Sequence, residues 1–179
     1  DGGAMFGVVP KSLWQRTNPA DQNNLCTWAM RSMLIEDNNR LILIDTGIGS
    51  KQDEKFFSHY HLHGNDSLKG NLKKIGHEPK DITDVFLTHL HFDHVGGAVE
   101  RIGDILKPTF ENANYWTNQR HLAWAKFPNN REKASFLVEN IRPLEESGQL
   151  NFIDAPEGER RIKTGLGFDA FVVNGHTDA

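Results

Sequence analysis

The sequence has very little cysteine: Cys26 is the single one among 179 residues. One cysteine cannot form an internal disulfide, and such a composition fits a reducing compartment, so we expect a cytoplasmic protein. Periplasmic enzymes without disulfides stay an alternative. A lone cysteine is more often a small buried apolar residue than a nucleophile, and we interpret Cys26 in that way.

Long apolar runs and a strong net charge are also missing. No stretch approaches the roughly 20 apolar residues that span a bilayer, which excludes a predicted membrane segment. The net charge is −4 and no long basic run occurs. This charge disfavours nucleic acid and anionic membranes as partners, although a local basic patch stays open. The sequence also lacks an initiator methionine and a signal peptide. We therefore expect a single domain over residues 1–179 that is truncated at both ends.

The pattern of apolar residues and turn formers predicts an α/β fold. The turn Asp37-Asn38-Asn39 between two apolar runs predicts a β-hairpin. Predicted strands cover residues 4–9, 26–35, 40–44, 84–88, 150–154 and 168–173. Predicted helices cover residues 51–60 and 68–75, start again near Gly97, and occupy much of residues 112–142.

One segment, T-H-L-H-F-D-H-V-G-G at residues 88–97, is dense in groups that bind metals. Side chains two apart at a strand end lie on the same side, so His89 and His91 can reach one ion. Asp93 and His94 follow where the backbone must turn, and they can serve a second point nearby. The glycine pair at the end of the segment permits a tight turn and lets the next helix start close by.

This H-x-H-x-D-H motif followed by G-G resembles the signature of the metallo-β-lactamase superfamily. Two further segments agree with it in order: L-I-D-T-G at residues 43–47 and N-G-H-T at residues 174–177. The residues of the motif and the long helical segment after it are similar to those of the lactonase and methyl-parathion-hydrolase-like branch. The resemblance implies an αββα sandwich whose C-terminal half is only partly present in this chain.

The resemblance also implies a site with two divalent ions, zinc or alternatively manganese or iron. The implied ligands are His89, His91 and His176 for the first ion, and Asp93 and His94 for the second. Asp45 is expected to orient ligands through hydrogen bonds, the alternative being a turn cap. The family pattern needs a bridging aspartate and a late histidine that the sequence does not hold. Truncation is the favoured explanation, with a variant that binds one metal as the alternative.

The chemistry implied is a metallo-hydrolase that uses a metal-activated hydroxide, with Asp93 passing the proton to the leaving group. A lactone or a phosphotriester is the expected small-molecule substrate, and a homodimer is left open. Met5, Phe6 and Trp14 could line its pocket, or could simply pack in the core. The alternatives are a thioester hydrolase of the glyoxalase II type, a β-lactamase, an iron-dependent oxidoreductase of the persulfide dioxygenase or flavo-diiron type, a nuclease and a non-catalytic binding module.

A second histidine pattern, H-x-H-x-H at His59, His61 and His63, comes after a predicted helix and has no acidic residue among its members. Helical geometry would place residues two apart on different faces. We therefore expect these histidines to be exposed or at a pocket rim rather than to bind metal. His77 and His121 receive the same interpretation.

Overall fold

The computed structural model describes residues 5–177, and the chain divides into two compact units, Asp1–Met30 and Arg31–Ala179. The first unit contains helix α1 (Lys11–Trp14). Residues 5–9 form a helical turn and a bend, so the strand predicted for residues 4–9 is wrong there, and residue 4 lies outside the described residues. Gly7 has a left-handed backbone (φ 56°), which breaks the extended run.

The second unit is built on a five-stranded sheet with the order β1-β2-β3-β6-β7. The predicted hairpin is confirmed, because β1 (Met33–Asp37) pairs antiparallel with β2 (Arg40–Ile44). The strand predicted for residues 26–35 is shorter than expected and starts only at Met33. Strands β2, β3 (Asp84–Phe86), β6 (Asn114–Asn118) and β7 (Leu150–Ile153) run parallel to one another. The carboxyl ends of these four strands therefore meet at one edge of the sheet.

Among the described residues, five α-helices, three short 3₁₀ helices (Pro79–Asp81, Gly96–Ala98 and Lys133–Ser135) and two smaller hairpins lie between and after the strands of this sheet. The helices are α2 (Glu54–Ser58), α3 (Leu68–Lys74), α4 (Phe92–Val95), α5 (Gln119–Lys126) and α6 (Val138–Glu146). The hairpins are β4 (Val99–Ile102) with β5 (Ile105–Pro108), and β8 (Arg161–Lys163) with β9 (Asp169–Phe171). Helices α2 and α3 begin where Asp53 and Ser67 accept hydrogen bonds from the backbone of the first turn.

The helix predicted to start near Gly97 is wrong. A single 3₁₀ turn covers Gly96–Ala98, and the chain then enters strand β4. The apolar and β-branched residues after the turn pair with β5 in a tight hairpin, and Gly103 at its turn has the left-handed backbone (φ 59°) that such a turn favours. The preceding α4 is only one turn long, and it carries the second half of the histidine motif.

The core of the second unit is apolar and lies around the central sheet. Ile42, Leu43 and Val85 on β2 and β3 are almost completely buried, as expected for strands covered on both faces. The predicted α/β class is confirmed by this mixed sheet and its helices. None of the helices among residues 5–177 is long and apolar enough to cross a membrane.

Candidate metal centre

The candidate centre lies at the carboxyl edge of the sheet, where several neighbouring strands end in polar side chains. Asp45 directly follows β2, and His89 and His91 follow β3. His121 lies in α5, which begins directly after β6. Because these three strands are parallel neighbours, their ends deliver residues distant in sequence to one place.

Three histidines converge at this edge. The ligand atoms of His89, His91 and His176 all lie within 4.8 Å of one another, the one such group among residues 5–177. Nε2 of His89 and Nε2 of His91 are buried and have no hydrogen-bond partner within the described residues. Unpartnered buried ring nitrogens are costly, and a cation bound among these histidines would remove that cost at Nε2 of His89. On His91 the nitrogen that faces His176 is Nδ1. Zn–N bonds of about 2.0–2.1 Å need ligand atoms about 4 Å apart or less, so a bound ion would draw these nitrogens closer together.

The electrostatics of this group favour the neutral, ligating form of imidazole. Burial, reinforced by the neighbouring histidines, lowers the pKa of His89 to about 2 and the pKa of His91 to about 4. At neutral pH both rings therefore carry an unprotonated nitrogen, as metal binding requires. His176 is exposed, and its Nε2 lies 3.2 Å from Nδ1 of His91.

Asp93 and His94 on α4 form a second, differently organised group. Nδ1 of His94 lies 2.8 Å from Oδ2 of Asp45, and Nε2 of His94 lies 3.6 Å from Oδ2 of Asp93. Burial acts to lower the pKa of His94, but the hydrogen bond and charge of Asp45 and the charge of Asp93 outweigh it and raise that pKa. The rings of His94 and His89 are 3.9 Å apart, so the second group adjoins the three histidines.

The loop that carries Asp45 is locked against the turn that carries His94. The backbone N and Oγ1 of Thr46 both donate to the carbonyl oxygen of His94, at 2.8 and 2.9 Å. The backbone of Asp45 is left-handed (φ 55°), which is uncommon for a residue other than glycine. This strained conformation aims the carboxylate of Asp45 at His94.

Close packing, rather than the start of a helix, explains the glycine pair of the motif. A Cβ on Gly96 would overlap the carbonyl of Ile48, and a Cβ on Gly97 would overlap the carbonyl of Thr46. The backbone of Gly96 is right-handed helical, so a positive φ is not the reason for glycine at this position. The buried Lys51 adds a hydrogen bond from Nζ to the carbonyl of Gly96, and burial lowers the pKa of this lysine to about 8.

The structure also places residues whose role the sequence left open or missed. His121 is 2% exposed and its Nε2 accepts a hydrogen bond from the backbone N of Leu90 at 2.9 Å. The expectation that His121 is exposed or at a pocket rim is therefore wrong, because α5 turns it inward beneath the motif. Thr88 contacts both Asp45 and His89, and its only signal in the sequence is its place directly before the first histidine.

His59, His61 and His63 are exposed at the end of α2 and beyond it, as predicted. They do not form a group spaced for a metal ion among the described residues. Met5, Phe6 and Trp14 lie in the first unit, where the rings of Phe6 and Trp14 stack at 5.1 Å. Trp14 is buried and Met5 is exposed, so stacking within that unit accounts for two of the three predicted pocket residues. A pocket role for them stays a prediction.

Comparison with known families gives a match over most of the second unit. The model of the metallo-beta-lactamase superfamily matches residues 31–172. This range contains Asp45 and the whole motif from His89 to Gly97, whereas His176 lies just beyond it.

Individual relatives point in the same direction. N-acyl homoserine lactonase AiiA of Bacillus thuringiensis subsp. kurstaki is 33% identical over 89 residues, which is 44% of this chain and 34% of the lactonase. A crystal structure of a "probable metal-dependent hydrolase" from Staphylococcus aureus has a TM-score of 0.84 and 31% identity, and it covers 99% of this chain. The chain spans only 61% of that hydrolase. A mutant of B. thuringiensis AiiA with N-decanoyl-L-homoserine bound has a TM-score of 0.55 at 22% identity, over 81% of this chain and 53% of AiiA, and shows a shared fold.

Proposed function

The chain belongs to the metallo-beta-lactamase superfamily, and on this premise we propose that it is a metal-dependent hydrolase that opens lactones. The observation that carries the proposal is the group of three histidines at the sheet edge, in which Nε2 of His89 is buried and has no hydrogen-bond partner among residues 5–177. Such a nitrogen suits a divalent cation better than a substrate hydrogen bond alone. The names of the relatives support the reaction class, since the matched curated proteins are N-acyl homoserine lactonases.

We assign the first ion to His89, His91 and His176, and we propose zinc because imidazole nitrogen suits it. We assign a second ion to Asp93 and His94, with Asp45 orienting His94. A bound divalent metal would supply Lewis-acid polarisation of the substrate carbonyl and an activated water at neutral pH. The chain's own part is to present neutral imidazoles and to hold His94 through Asp45.

Asp93 is the proposed proton carrier of the reaction. Its carboxylate is a third exposed and can therefore reach both a substrate and His94. When a lactone opens, the ring oxygen leaves as an alkoxide and needs a proton, which Asp93 can deliver after taking it from the attacking water. Asp93 lies on the first turn of α4 and 3.6 Å from Nε2 of His94, whose ring is in turn 3.9 Å from the ring of His89.

An aromatic surface beside Asp93 supports a substrate with an apolar part. Phe92 lies between the two halves of the motif, and its ring is 5.4 Å from Phe56 and 4.8 Å from Tyr60. Burial raises the pKa of Tyr60, and the nearby negative charge of Asp93 raises it further. An apolar chain attached to a lactone could lie on these rings while the ring carbonyl reaches the histidines.

The test measures lactone opening through the protons that the reaction releases. The protein is first stripped of metal by a chelator and then reloaded with zinc. Zinc should restore hydrolysis in the unmodified protein, whereas His89→Ala and Asp93→Ala should each lose metal or activity. His61→Ala is the matched control, since that histidine is exposed and outside the site. Full hydrolysis in both site variants would contradict the proposal. Oxygen uptake by iron-loaded protein that opens no lactone would favour an oxidoreductase instead.

A further inference from the structure

We propose that Thr88 is a positioning residue that sets the tautomer of His89 and keeps its Nε2 open for the metal. The proposal rests on the proposed function in naming a metal as the ligand of His89. The hydrogen bonds that carry it are present in the protein without any metal, so they can be tested separately.

Thr88 lies between a carboxylate and a ring nitrogen. Its Oγ1 is 2.8 Å from Oδ2 of Asp45 and 3.1 Å from Nδ1 of His89. The backbone N of Thr88 also donates to Oδ1 of Asp45, at 2.9 Å. Two contacts to one carboxylate fix the threonine in place relative to Asp45.

The direction of these hydrogen bonds is set by the chemistry of the groups. A carboxylate can only accept, so the single hydroxyl hydrogen of Thr88 is donated to Asp45. The hydroxyl oxygen then has lone pairs left and accepts from His89, which places the imidazole proton on Nδ1. A neutral imidazole carries one proton, so Nε2 of His89 keeps its lone pair.

Nε2, the nitrogen of His89 that keeps its lone pair, is the one that can bind the metal. Nε2 of His89 is buried and has no hydrogen-bond partner among residues 5–177, and the same ring lies 5.0 Å from the ring of His176. Without the hydroxyl of Thr88, Nδ1 of His89 would lose its acceptor. The proton could then move to Nε2, and a metal would have to displace it before binding.

Asp45 therefore orients a ring in each half of the site. It contacts His94 directly through Oδ2, at 2.8 Å from Nδ1, and it reaches His89 through the hydroxyl of Thr88. The left-handed backbone of Asp45 allows both contacts from one position. Thr88 thus extends the reach of the carboxylate by one hydrogen bond.

The experiment compares Thr88→Val, which removes the hydroxyl at nearly constant shape, with Thr88→Ser, which keeps it. Thr88 is exposed, so neither change opens a cavity in the core. Thr83→Val is the matched control, because Thr83 lies before the same strand and also donates to an aspartate, Asp84, at 2.8 Å. The readouts are the side-chain ¹H–¹⁵N NMR spectrum of His89 in metal-free protein and zinc affinity by chelator competition.

We expect the proton of His89 on Nδ1 in the unmodified protein, in Thr88→Ser and in the Thr83→Val control. In Thr88→Val the Nε2–H form should become populated, and zinc affinity should fall by about tenfold. A His89 proton on Nε2 in the unmodified protein, or an unchanged tautomer in Thr88→Val, would overturn the proposal. A protein that takes up no zinc would contradict the proposed function instead, and the spectra would still decide the role of Thr88.

Discussion

The two halves of the candidate centre differ in how the protein shifts the pKa values of their histidines. The histidine half consists of His89, His91 and His176, and the carboxylate half consists of Asp45, Asp93 and His94. In the histidine half, burial lowers the pKa of two rings and leaves nitrogens without partners among the described residues. In the carboxylate half, hydrogen bonds to Asp45 and the charge of Asp93 raise the pKa of His94 despite its burial.

This difference predicts which half binds a metal ion more tightly. In the histidine half, Nε2 of His89 is buried without a hydrogen-bond partner among residues 5–177, and a bound metal would remove the free-energy cost of that. In the carboxylate half, Asp45 and Asp93 raise the pKa of His94, so a metal there must compete with a proton on that ring. We therefore expect the histidine half to bind zinc more tightly.

The largest expected effect comes from removing a ligand of the histidine half. His91→Ala should lower zinc affinity by more than about 100-fold, because even a residue that only supports a ligand is worth roughly 10–100-fold. His94→Ala should leave one zinc ion bound with affinity close to that of the unmodified protein. Chelator competition together with the metal content of the purified variants measures both. Equal losses in the two variants would show that the halves are not independent.

A smaller effect is expected for Asp45→Asn, which keeps the shape but removes the negative charge. The amide can still accept from Thr88 or from His94, but the charge that favours a protonated His94 is lost. Activity should fall by roughly 10–100-fold, and the pKa of His94 should drop. Asp154→Asn, at an exposed site, is the control. NMR titration of His94 gives the pKa, and an unchanged value would contradict the role assigned to Asp45.

The sequence predicted the parts of this site that depend on local order. His89 and His91 are two residues apart just after a short apolar strand, and the strand period predicted that both reach one place. Their rings do meet there, although β3 itself ends at Phe86. Loop packing was not predictable in the same way. A side chain at Gly96 would collide with the carbonyl of Ile48, a residue that is distant in the sequence. His121 was missed for the same reason: its partner, the backbone of Leu90, lies on a different strand end.

The helix expected near Gly97 failed because a glycine pair signals a turn but does not specify the element after it. Strand β4 forms there since β5 pairs with it across a turn at Gly103, whose backbone is left-handed (φ 59°). The hairpin around Asn38 has a turn residue of the same kind (φ 52°). Local turn chemistry was enough to predict the hairpin at Asn38, and the same signal at Gly103 was missed.

The smallest expected effect is a difference between the halves in how acid changes stability. Unfolded histidine takes up a proton near pH 6.5, whereas folded His91 and His89 resist protonation down to about pH 4 and about pH 2. The unfolded chain thus binds more protons in this range, and the metal-free protein should lose stability as the pH falls from 6.5 towards 4. His94 has the opposite sign: its raised pKa adds stability below pH 6.5, which is lost as the pH rises through its folded pKa.

Removing His94 should therefore change the pH dependence of stability above about pH 6.5, where the folded ring still holds a proton that the unfolded chain has lost. As the pH falls towards 6.5 from above, we expect the melting temperature of the unmodified protein to rise relative to that of His94→Gln, by roughly 2–4 °C for each kcal/mol of difference. His59→Gln removes an exposed histidine and should keep the original slope. Thermal unfolding by circular dichroism in the presence of a chelator measures all three. If the slopes of the three proteins coincide above about pH 6.5, His94 is protonated equally in the folded and unfolded chains, and the carboxylate half adds no pH-dependent stability.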